Sequence, residues 1–397
     1  MPRRFWFSDG LSRSLLLLLL VLWLAGAGLR LTVLAVPPVL PLIHVQLALS
    51  ERAIGALSGL PVLLFGLVAI PGSLLIARFG ARRATIAALL LVAAASAARG
   101  IGPSVPMLFA MTCVMAAGVA IMQPALPTLV VEWFPSRPDF ATAVYANGLL
   151  IGEAAPAALT IPFVLPLVGD SWPASFAMWA LPVAATAGLM ALCPRASTPK
   201  ACGAVAAAPQ ARWWPDWRNR QIWQLGLMQG GTGGLYFASN AFIPDYLHAV
   251  GRPDLVTASL SALNLGQFPA SLVLLTMARR LGGKAVVGGV QIVGLIGIAA
   301  FLAGDPWLGV VGAGIIGFCC AFTLIVTLAL PPRLVADADV HRLSAGMFAI
   351  GYTVSCLVPL IGGTIWSATG RPAAAFVAPI CAAAVVLVAA LGFRFPD

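Results

Sequence analysis

The stretch LLLLLLVLWLAGAGLRLTVLAVPPVLPLI, residues 15–43, decides the class of this chain. It contains one charged side chain, Arg30, in otherwise largely apolar sequence. At about 1.5 Å per residue it is long enough to cross the roughly 30 Å hydrocarbon core of a bilayer. A guanidinium keeps its proton there, and an unpaired one at that depth costs at least roughly 2.5–3.5 kcal/mol. The stretch therefore predicts a membrane span in which Arg30 faces a water-filled cavity or a partner.

The composition of the whole chain agrees with this prediction. Hydrophobic residues make up 60% of the 397 residues and charged residues only 9%, against about a quarter charged in soluble domains. A soluble fold could not bury so much apolar surface, so lipid must be the solvent. Long apolar segments recur, and we predict an all-α polytopic membrane protein with twelve spans: 15–43, 53–77, 84–102, 105–131, 139–168, 172–193, 222–247, 256–279, 285–304, 307–331, 342–367 and 373–393.

The net charge of +10 follows the predicted topology. With both termini in the cytoplasm, 18 Lys and Arg fall on the inner side, Arg30 lies within the bilayer, and 4 cations lie outside: Arg52, Arg99, Arg252 and Arg371. This distribution is the positive-inside bias of membrane proteins. It predicts a multi-pass protein of the cytoplasmic (inner) membrane, and the basic residues need no nucleic-acid partner.

The two halves of the chain repeat. At an offset of about 203 residues, Pro41, Gly148 and Pro156 fall on Pro244, Gly351 and Pro359. Six spans per half give both halves the same orientation, which is a parallel repeat about an axis along the membrane normal. We therefore predict a six-helix bundle in residues 1–193, a cytoplasmic linker in residues 194–221 and a second six-helix bundle in residues 222–397.

The loop after the second span, Arg78-Phe79-Gly80-Ala81-Arg82-Arg83, resembles the hallmark loop of the major facilitator superfamily. Ala77 stands where that loop usually has Asp, and Ser73 where it usually has Gly. The resemblance implies the twelve-helix major facilitator fold. It also implies gating or structural roles for Arg78, Gly80 and Arg82.

Further stretches resemble the cyanate/2-nitroimidazole transporter family within that superfamily. They are Leu29-Arg30, Gln123-Pro124-Ala125-Leu126-Pro127, Glu132-Trp133-Phe134-Pro135, Asn147-Gly148-Leu149-Leu150-Ile151-Gly152, Phe322-Thr323-Leu324-Ile325, and Leu343-Ser344-Ala345 with Gly351-Tyr352. This resemblance implies a secondary transporter in which Arg30 contacts substrate. Glu153 is not the residue that the family leads us to expect at its position.

Arg30 and Glu153 have two interpretations each. Arg30 contacts an anionic or polar substrate, or it forms a structural ion pair. Glu153, deep in the fifth span, changes protonation with the occupancy of Arg30 and so couples transport to protons, or it is the permanent partner of that pair. Burial raises a carboxylate pKa and a neighbouring arginine lowers it, so coupling is physically possible.

Neutral polar residues within the spans are candidates for lining the cavity. We predict substrate contacts from Gln123, Asn147, Gln229, Tyr236, Asn240, Asn264 and Tyr352, in addition to Arg30. Hydrogen bonding between helices is the alternative for each of them. Gly152 and Pro156, which flank Glu153, are predicted to give the fifth span a flexible, structural role.

These features predict a secondary active transporter that moves a small anionic or polar organic solute by alternating access. The alternatives are efflux of an uncharged nitroheterocycle and a transporter-like sensor that binds ligand without flux. The sequence contains no phosphate-binding Gly-x-x-x-x-Gly-Lys loop, zinc motif or catalytic triad. We therefore expect no enzyme activity, cofactor or metal, and a monomer whose partners are the solute, the lipid bilayer and protons.

Overall fold

The computed structural model describes residues 13–49, 51–102, 104–193, 212–281 and 283–396. All regular structure in these residues is helical, as the sequence predicts. The helices of the first half are α1 (Arg13–Gly28), α2 (Leu40–Leu47), α3 (Glu51–Phe79), α4 (Ala81–Ala98), α5 (Val105–Trp133), α6 (Pro138–Leu159), α7 (Leu165–Leu167) and α8 (Trp172–Leu192). The helices of the second half are α9 (Arg220–Ala249), α10 (Val256–Leu265), α11 (Gln267–Leu281), α12 (Lys284–Leu302), α13 (Pro306–Ala329), α14 (Pro331–Leu334), α15 (Val340–Thr369) and α16 (Val377–Leu391).

Ten of the described helices are long and apolar enough to cross a membrane. The ninth helix, α9, is 30 residues long but rich in glycine and polar residues. The first span differs from the prediction of one helix over 15–43. It consists of α1, turns from Leu29 onward, a short 3-10 helix at Pro37–Val39, and α2. The described residues thus contain the helices of the predicted twelve-span fold, with the first span broken at Arg30.

The break in the first span has a local cause in the sequence. Pro37 and Pro38 have no backbone N–H, so the carbonyls of Val33 and Leu34 lose their helical donors. The chain tightens in response, and the Val36 N–H donates to the Val33 carbonyl at 3.4 Å, three residues back. Irregular backbone at this depth is tolerated only where protein or a cavity surrounds it. The prolines account for the far-side part of the irregular segment, and Arg30 lies buried at its start.

Two glycines let α6 approach α1 closely. A Cβ atom at Gly148 would lie 2.1 Å from the Trp23 carbonyl oxygen, and one at Gly152 would lie 2.3 Å from the Ala27 carbonyl oxygen. Both distances are shorter than any real Cβ contact, so only glycine fits. This contact brings the α6 backbone beside the end of α1 and so sets Glu153 next to the break at Arg30.

The two halves meet through α3, α5 and α6 of the first and α11, α13 and α15 of the second. We call the side on which α8 ends and α9 begins the linker side, and the opposite side the far side. On the linker side, Arg333 Nη2 donates to Asp139 Oδ2 at 2.7 Å, and Ser73 Oγ lies 2.7 Å from His341 Nδ1. His341 is buried in the first turn of α15.

The Arg78–Arg83 loop contacts the end of α8, within the first half. Gly80 has a φ of 80°, which favours glycine, and it immediately precedes α4. Arg82 Nη2 donates to the carbonyls of Met190, Ala191 and Cys193 and so caps the end of α8. Arg78 is exposed. In the described part of the chain, the charge pair that joins the halves on the linker side is Asp139–Arg333.

Candidate functional site

An ion pair lies at the centre of the bundle. Arg30, on the unwound segment of the first span, donates from Nε to Glu153 Oε1 at 3.0 Å. The two side chains are only 8% and 15% exposed. A pair so deep in the protein is stable only when further hydrogen bonds satisfy the remaining polar atoms. The direct contact therefore makes the surroundings of Arg30 and Glu153 the candidate site.

Tyr352 of the second half also contacts Arg30. Arg30 Nη2 donates to the Tyr352 hydroxyl oxygen at 3.0 Å. Gln123 Nε2 from α5 lies 2.7 Å from the same oxygen. One phenol therefore joins spans of both halves through the guanidinium and an amide. Two residues predicted to contact substrate, Gln123 and Tyr352, thus meet at Arg30.

Aromatic rings form one wall around the guanidinium. The Arg30 Cζ atom lies 5.4 Å from the centre of the Phe65 ring, a cation–π distance. Phe65 packs edge-on against Tyr352 at 5.3 Å, and Phe348 stacks on Tyr352 at 5.9 Å. The wall holds the tyrosine in place and offers apolar faces to a planar ligand.

A second polar branch reaches Glu153 from the other half. Tyr236 of α9 lies close enough to Glu153 to interact with it electrostatically. Its hydroxyl donates to Asn264 Oδ1 at 2.7 Å, and Asn264 Nδ2 donates to Asn240 Oδ1 at 3.2 Å. Three more predicted residues are therefore connected, and Glu153 is linked through Tyr236 to α9 and α10.

Two buried donors at this centre have no partner. Arg30 Nη1 and the Tyr145 hydroxyl are inaccessible, and neither has a hydrogen-bond partner among the described residues. Tyr145 is close enough to Tyr352 to interact with it electrostatically. Unsatisfied buried donors are costly, so such groups usually await a ligand, an ion or water. The orphaned guanidinium N–H is the feature of the site best suited to bind an acceptor group.

Sequence reasoning missed two residues of this site, Tyr145 and Gln267. Gln267, the first residue of α11, is 6% exposed and lies beside Tyr236. Tyr145 lies two residues before Asn147 in α6, and its ring could be assigned to the core just as well as to a site.

The other two predicted contacts, Asn147 and Gln229, make their described contacts with other residues. Asn147 accepts a hydrogen bond from Trp23 Nε1 at 2.9 Å and donates to Ser271 Oγ at 3.0 Å, which ties α6 to α11. Gln229 packs against Gly351, where an added Cβ would collide with its Oε1. Their role in substrate contact stays a prediction. In the described residues, no group of three or more His, Cys, Asp or Glu could hold a metal ion.

The hydrogen bonds between the halves define the state of the molecule. Within the described residues, side-chain hydrogen bonds join the halves at Tyr352, at Asn147–Ser271, and closer to the linker side at Ser73 and Asp139. None of them joins the far-side ends. The structure is thus sealed on the linker side of the site.

Known proteins share this architecture and parts of this sequence. The family model of the Major Facilitator Superfamily matches residues 18–261. A cyanate transport protein of Escherichia coli is 28% identical, with 89% of this chain and 91% of that protein covered. A 2-nitroimidazole transporter of the same species is 27% identical, with 86% of each covered. The transporter FucP, solved in an outward conformation, superposes with a TM-score of 0.72 at 16% identity over 95% of this chain and 99% of its own.

Proposed function

This chain belongs to the Major Facilitator Superfamily, and on that premise we propose that it is a secondary active transporter for a small anion, coupled to protons through Glu153. Its relatives move solutes across membranes, and it is itself a multi-pass membrane transporter. The proposal adds the charge of the solute and the source of energy. We also propose that the linker side faces the cytoplasm, because the basic residues concentrate there.

One observation carries the choice of an anion. Arg30 is buried on an unwound segment, and its Nη1 has no hydrogen-bond partner among the described residues. Guanidinium groups bind carboxylate-like anions through paired N–H donors. An anion at Nη1 would satisfy that donor and displace Glu153 from the Nε side of the guanidinium. Broken helices form substrate sites in other transporters for the same reason, since their freed polar groups face a cavity.

Glu153 supplies the means of proton coupling. In this structure its carboxylate lies 3.0 Å from Arg30 Nε and neutralises the guanidinium. When an anion takes over the guanidinium, Glu153 is left as an unpaired buried charge unless it binds a proton. The cost of such a charge makes protonation the favourable outcome. Binding of the anion and binding of a proton are thereby linked, which is the thermodynamic requirement for symport.

Cyanate is the probe that fits this proposal best. It is a small anion, and the relative at 28% identity is described as a cyanate transport protein. We expect the purified protein to bind cyanate and proteoliposomes to accumulate it under an inward proton gradient. Binding without flux would favour a sensor instead.

Arg30→Lys tests the contact directly. Lysine keeps the charge but loses the planar fork, so cyanate affinity should fall by roughly tenfold to over a hundredfold, or about 1.5–3 kcal/mol. Isothermal titration calorimetry on the folded variant measures this, with Arg252→Lys as the control because Arg252 lies at the surface. Unchanged affinity in Arg30→Lys would assign the residue to structure and end the anion proposal.

An uncharged planar heterocycle is the second candidate substrate. The Arg30–Glu153 pair is neutral as a unit, and Phe65, Phe348 and Tyr352 offer aromatic faces beside it. Such faces favour offset or edge-on packing with flat rings. Binding of 2-nitroimidazole that is insensitive to Arg30→Lys, together with no binding of cyanate, would select this candidate.

A further inference from the structure

We propose that Arg99 is a positioning residue for the substrate site: it holds the unwound segment of the first span and, through that segment, orients Arg30. The proposal rests on the function proposed above, because it assigns Arg99 an effect on ligand binding at Arg30. Arg99 lies at the far-side end of α4 and belongs to neither the ion pair nor its hydrogen-bonded neighbours.

The Thr32 carbonyl is among those of the unwound segment that accept no backbone N–H in the described residues. In a continuous helix, the Val36 N–H would donate to the Thr32 carbonyl, but here it donates to Val33 instead. Arg99 Nη2 supplies the missing bond and donates to the Thr32 carbonyl oxygen at 2.8 Å. Thr32 is fully buried, so water cannot readily take over that role. A buried carbonyl without a donor would destabilise the segment.

Arg99 is itself held in a fixed place. It is fully buried, donates to Ser96 Oγ at 2.9 Å, and lies with Cζ 4.2 Å from the centre of the Phe176 ring. The sequence grouped Arg99 with the cations of the outer side, and the structure instead encloses it between α4, the first span and α8. In the described residues, no carboxylate forms an ion pair with it.

Burying a cation without a carboxylate partner costs desolvation free energy, and an apolar side chain of similar volume would fill the same space without that cost. The position of the charge explains its presence. Thr32 lies just beyond the carboxyl-terminal end of α1, where the helix dipole and free carbonyls favour a cation. Arg99 thus stabilises an opened helix end that neutral side chains would leave unsatisfied.

The connection from Thr32 to the site is short. Arg30 lies two residues before Thr32, and its own carbonyl accepts the Leu34 N–H at 2.9 Å, within the same turn. A segment fixed at Thr32 therefore fixes the direction from which the Arg30 side chain reaches Glu153 and Tyr352. Without Arg99, the Thr32 carbonyl loses the side-chain donor that it has among the described residues, and the Arg30 guanidinium loses its preset direction.

The experiment is a double-mutant cycle between Arg99 and Arg30 in the full-length protein, with cyanate as the probe. We expect Arg99→Met to weaken cyanate binding about tenfold, the loss of one charge-assisted hydrogen bond. Arg99→Lys keeps one donor for Thr32 and should weaken binding only about threefold. In an Arg30→Lys background, both effects should disappear, because Arg99 acts through Arg30.

Two controls separate positioning from general stability. Phe176→Leu removes the ring beside Arg99 but leaves the Arg99–Thr32 bond, so it should lower the melting temperature and keep cyanate affinity. Should Arg99→Met fail to fold, Arg99→Lys in both backgrounds still decides the matter. Effects of Arg99 that persist undiminished in the Arg30→Lys background, or an Arg99→Lys affinity equal to wild type, would overturn the proposal.

The same measurements distinguish the two proposals. If Arg30→Lys binds cyanate as wild type does, the anion function fails whatever Arg99 does. If Arg30→Lys weakens binding and Arg99→Met does not, the function stands and only the positioning role fails.

Discussion

Glu153 holds the Nε side of the Arg30 guanidinium, from which an anionic substrate bound at Nη1 would have to displace it. The substrate must therefore compete with a carboxylate already hydrogen-bonded at 3.0 Å. That competition lowers anion affinity, but it also ensures that a bound anion changes the surroundings of Glu153. Coupling of anion binding to protonation of Glu153 therefore requires a lower affinity for the anion.

Replacing Glu153 with glutamine should separate binding from coupling. Glutamine resembles the protonated acid, so Glu153→Gln should bind cyanate at least as tightly as wild type and should still exchange it. It should lose accumulation driven by a pH gradient, because no group is left to carry the proton. Uptake and counterflow by proteoliposomes with and without the gradient measure the two activities.

Asp254→Asn is the matched control, because Asp254 is an exposed acid at the far side. It should leave both activities unchanged. Gradient-driven accumulation by Glu153→Gln with the pH dependence of wild type would show that the ion pair is only structural.

At the scale of the helices, the site depends on how closely α6 packs on α1. Gly152→Ala would force a Cβ to within 2.3 Å of the Ala27 carbonyl oxygen. The helices must then separate, which costs about 1–3 kcal/mol of stability as an overpacked core does. We expect a lower melting temperature and weaker cyanate binding, since Glu153 moves away from Arg30. Gly289→Ala in α12, where nothing lies within 4 Å, should change neither. Wild-type binding and melting in Gly152→Ala would show that this close contact does not support the site.

The helices themselves were predictable because a membrane span must be apolar over a certain length, and that length can be read from the local sequence. The break in the first span was only partly predictable. Pro37 and Pro38 are visible in the sequence, but the capture of the Thr32 carbonyl by Arg99 depends on the packing of α4 against the first span. Charge patterning could say only that Arg99 lies near one membrane face.

The residues of the candidate site were predictable where they are of a type that is rare within a membrane span. Charged residues deep in apolar sequence are few, and Arg30 and Glu153 do pair. Amides are more common between helices, and the same reasoning could not tell Gln123, which reaches Tyr352, from Gln229, which packs on Gly351. The direction of a side chain around its helix decides between them, and that direction is set by the neighbouring helices.

At the scale of the whole molecule, Asp139 and Arg333 hold the linker side closed. Their side chains are 14% and 17% exposed, so the pair is partly desolvated. Arg333→Gln should destabilise the closed state by about 1–3 kcal/mol, less than the roughly 3–5 kcal/mol for a fully buried pair. The balance should shift toward a linker-side-open state by about fivefold to over a hundredfold.

Spin labels on Ser136 and Ala336, exposed on opposite halves at the linker side, would report this shift as a longer distance. The native cysteines would first be replaced. Arg252→Gln breaks a surface pair within one half and should leave the distance distribution as it is. The swapped pair Asp139→Arg with Arg333→Asp should restore the short distance. An unaltered distribution in Arg333→Gln would mean that other contacts, such as Ser73 with His341, keep the halves together.

Arg30 and Glu153 both belong to the first half, whereas Tyr352 and Tyr236 belong to the second. When the halves rock, the ion pair travels with one of them as a unit of zero net charge. The membrane voltage does about 2.3 kcal/mol of work on each elementary charge carried through 100 mV, and almost none on this pair. An anion that enters with a proton also adds no net charge. On the proposed mechanism, neither the unloaded nor the loaded transporter carries net charge across the membrane when its halves rock. The difference in pH alone then drives accumulation.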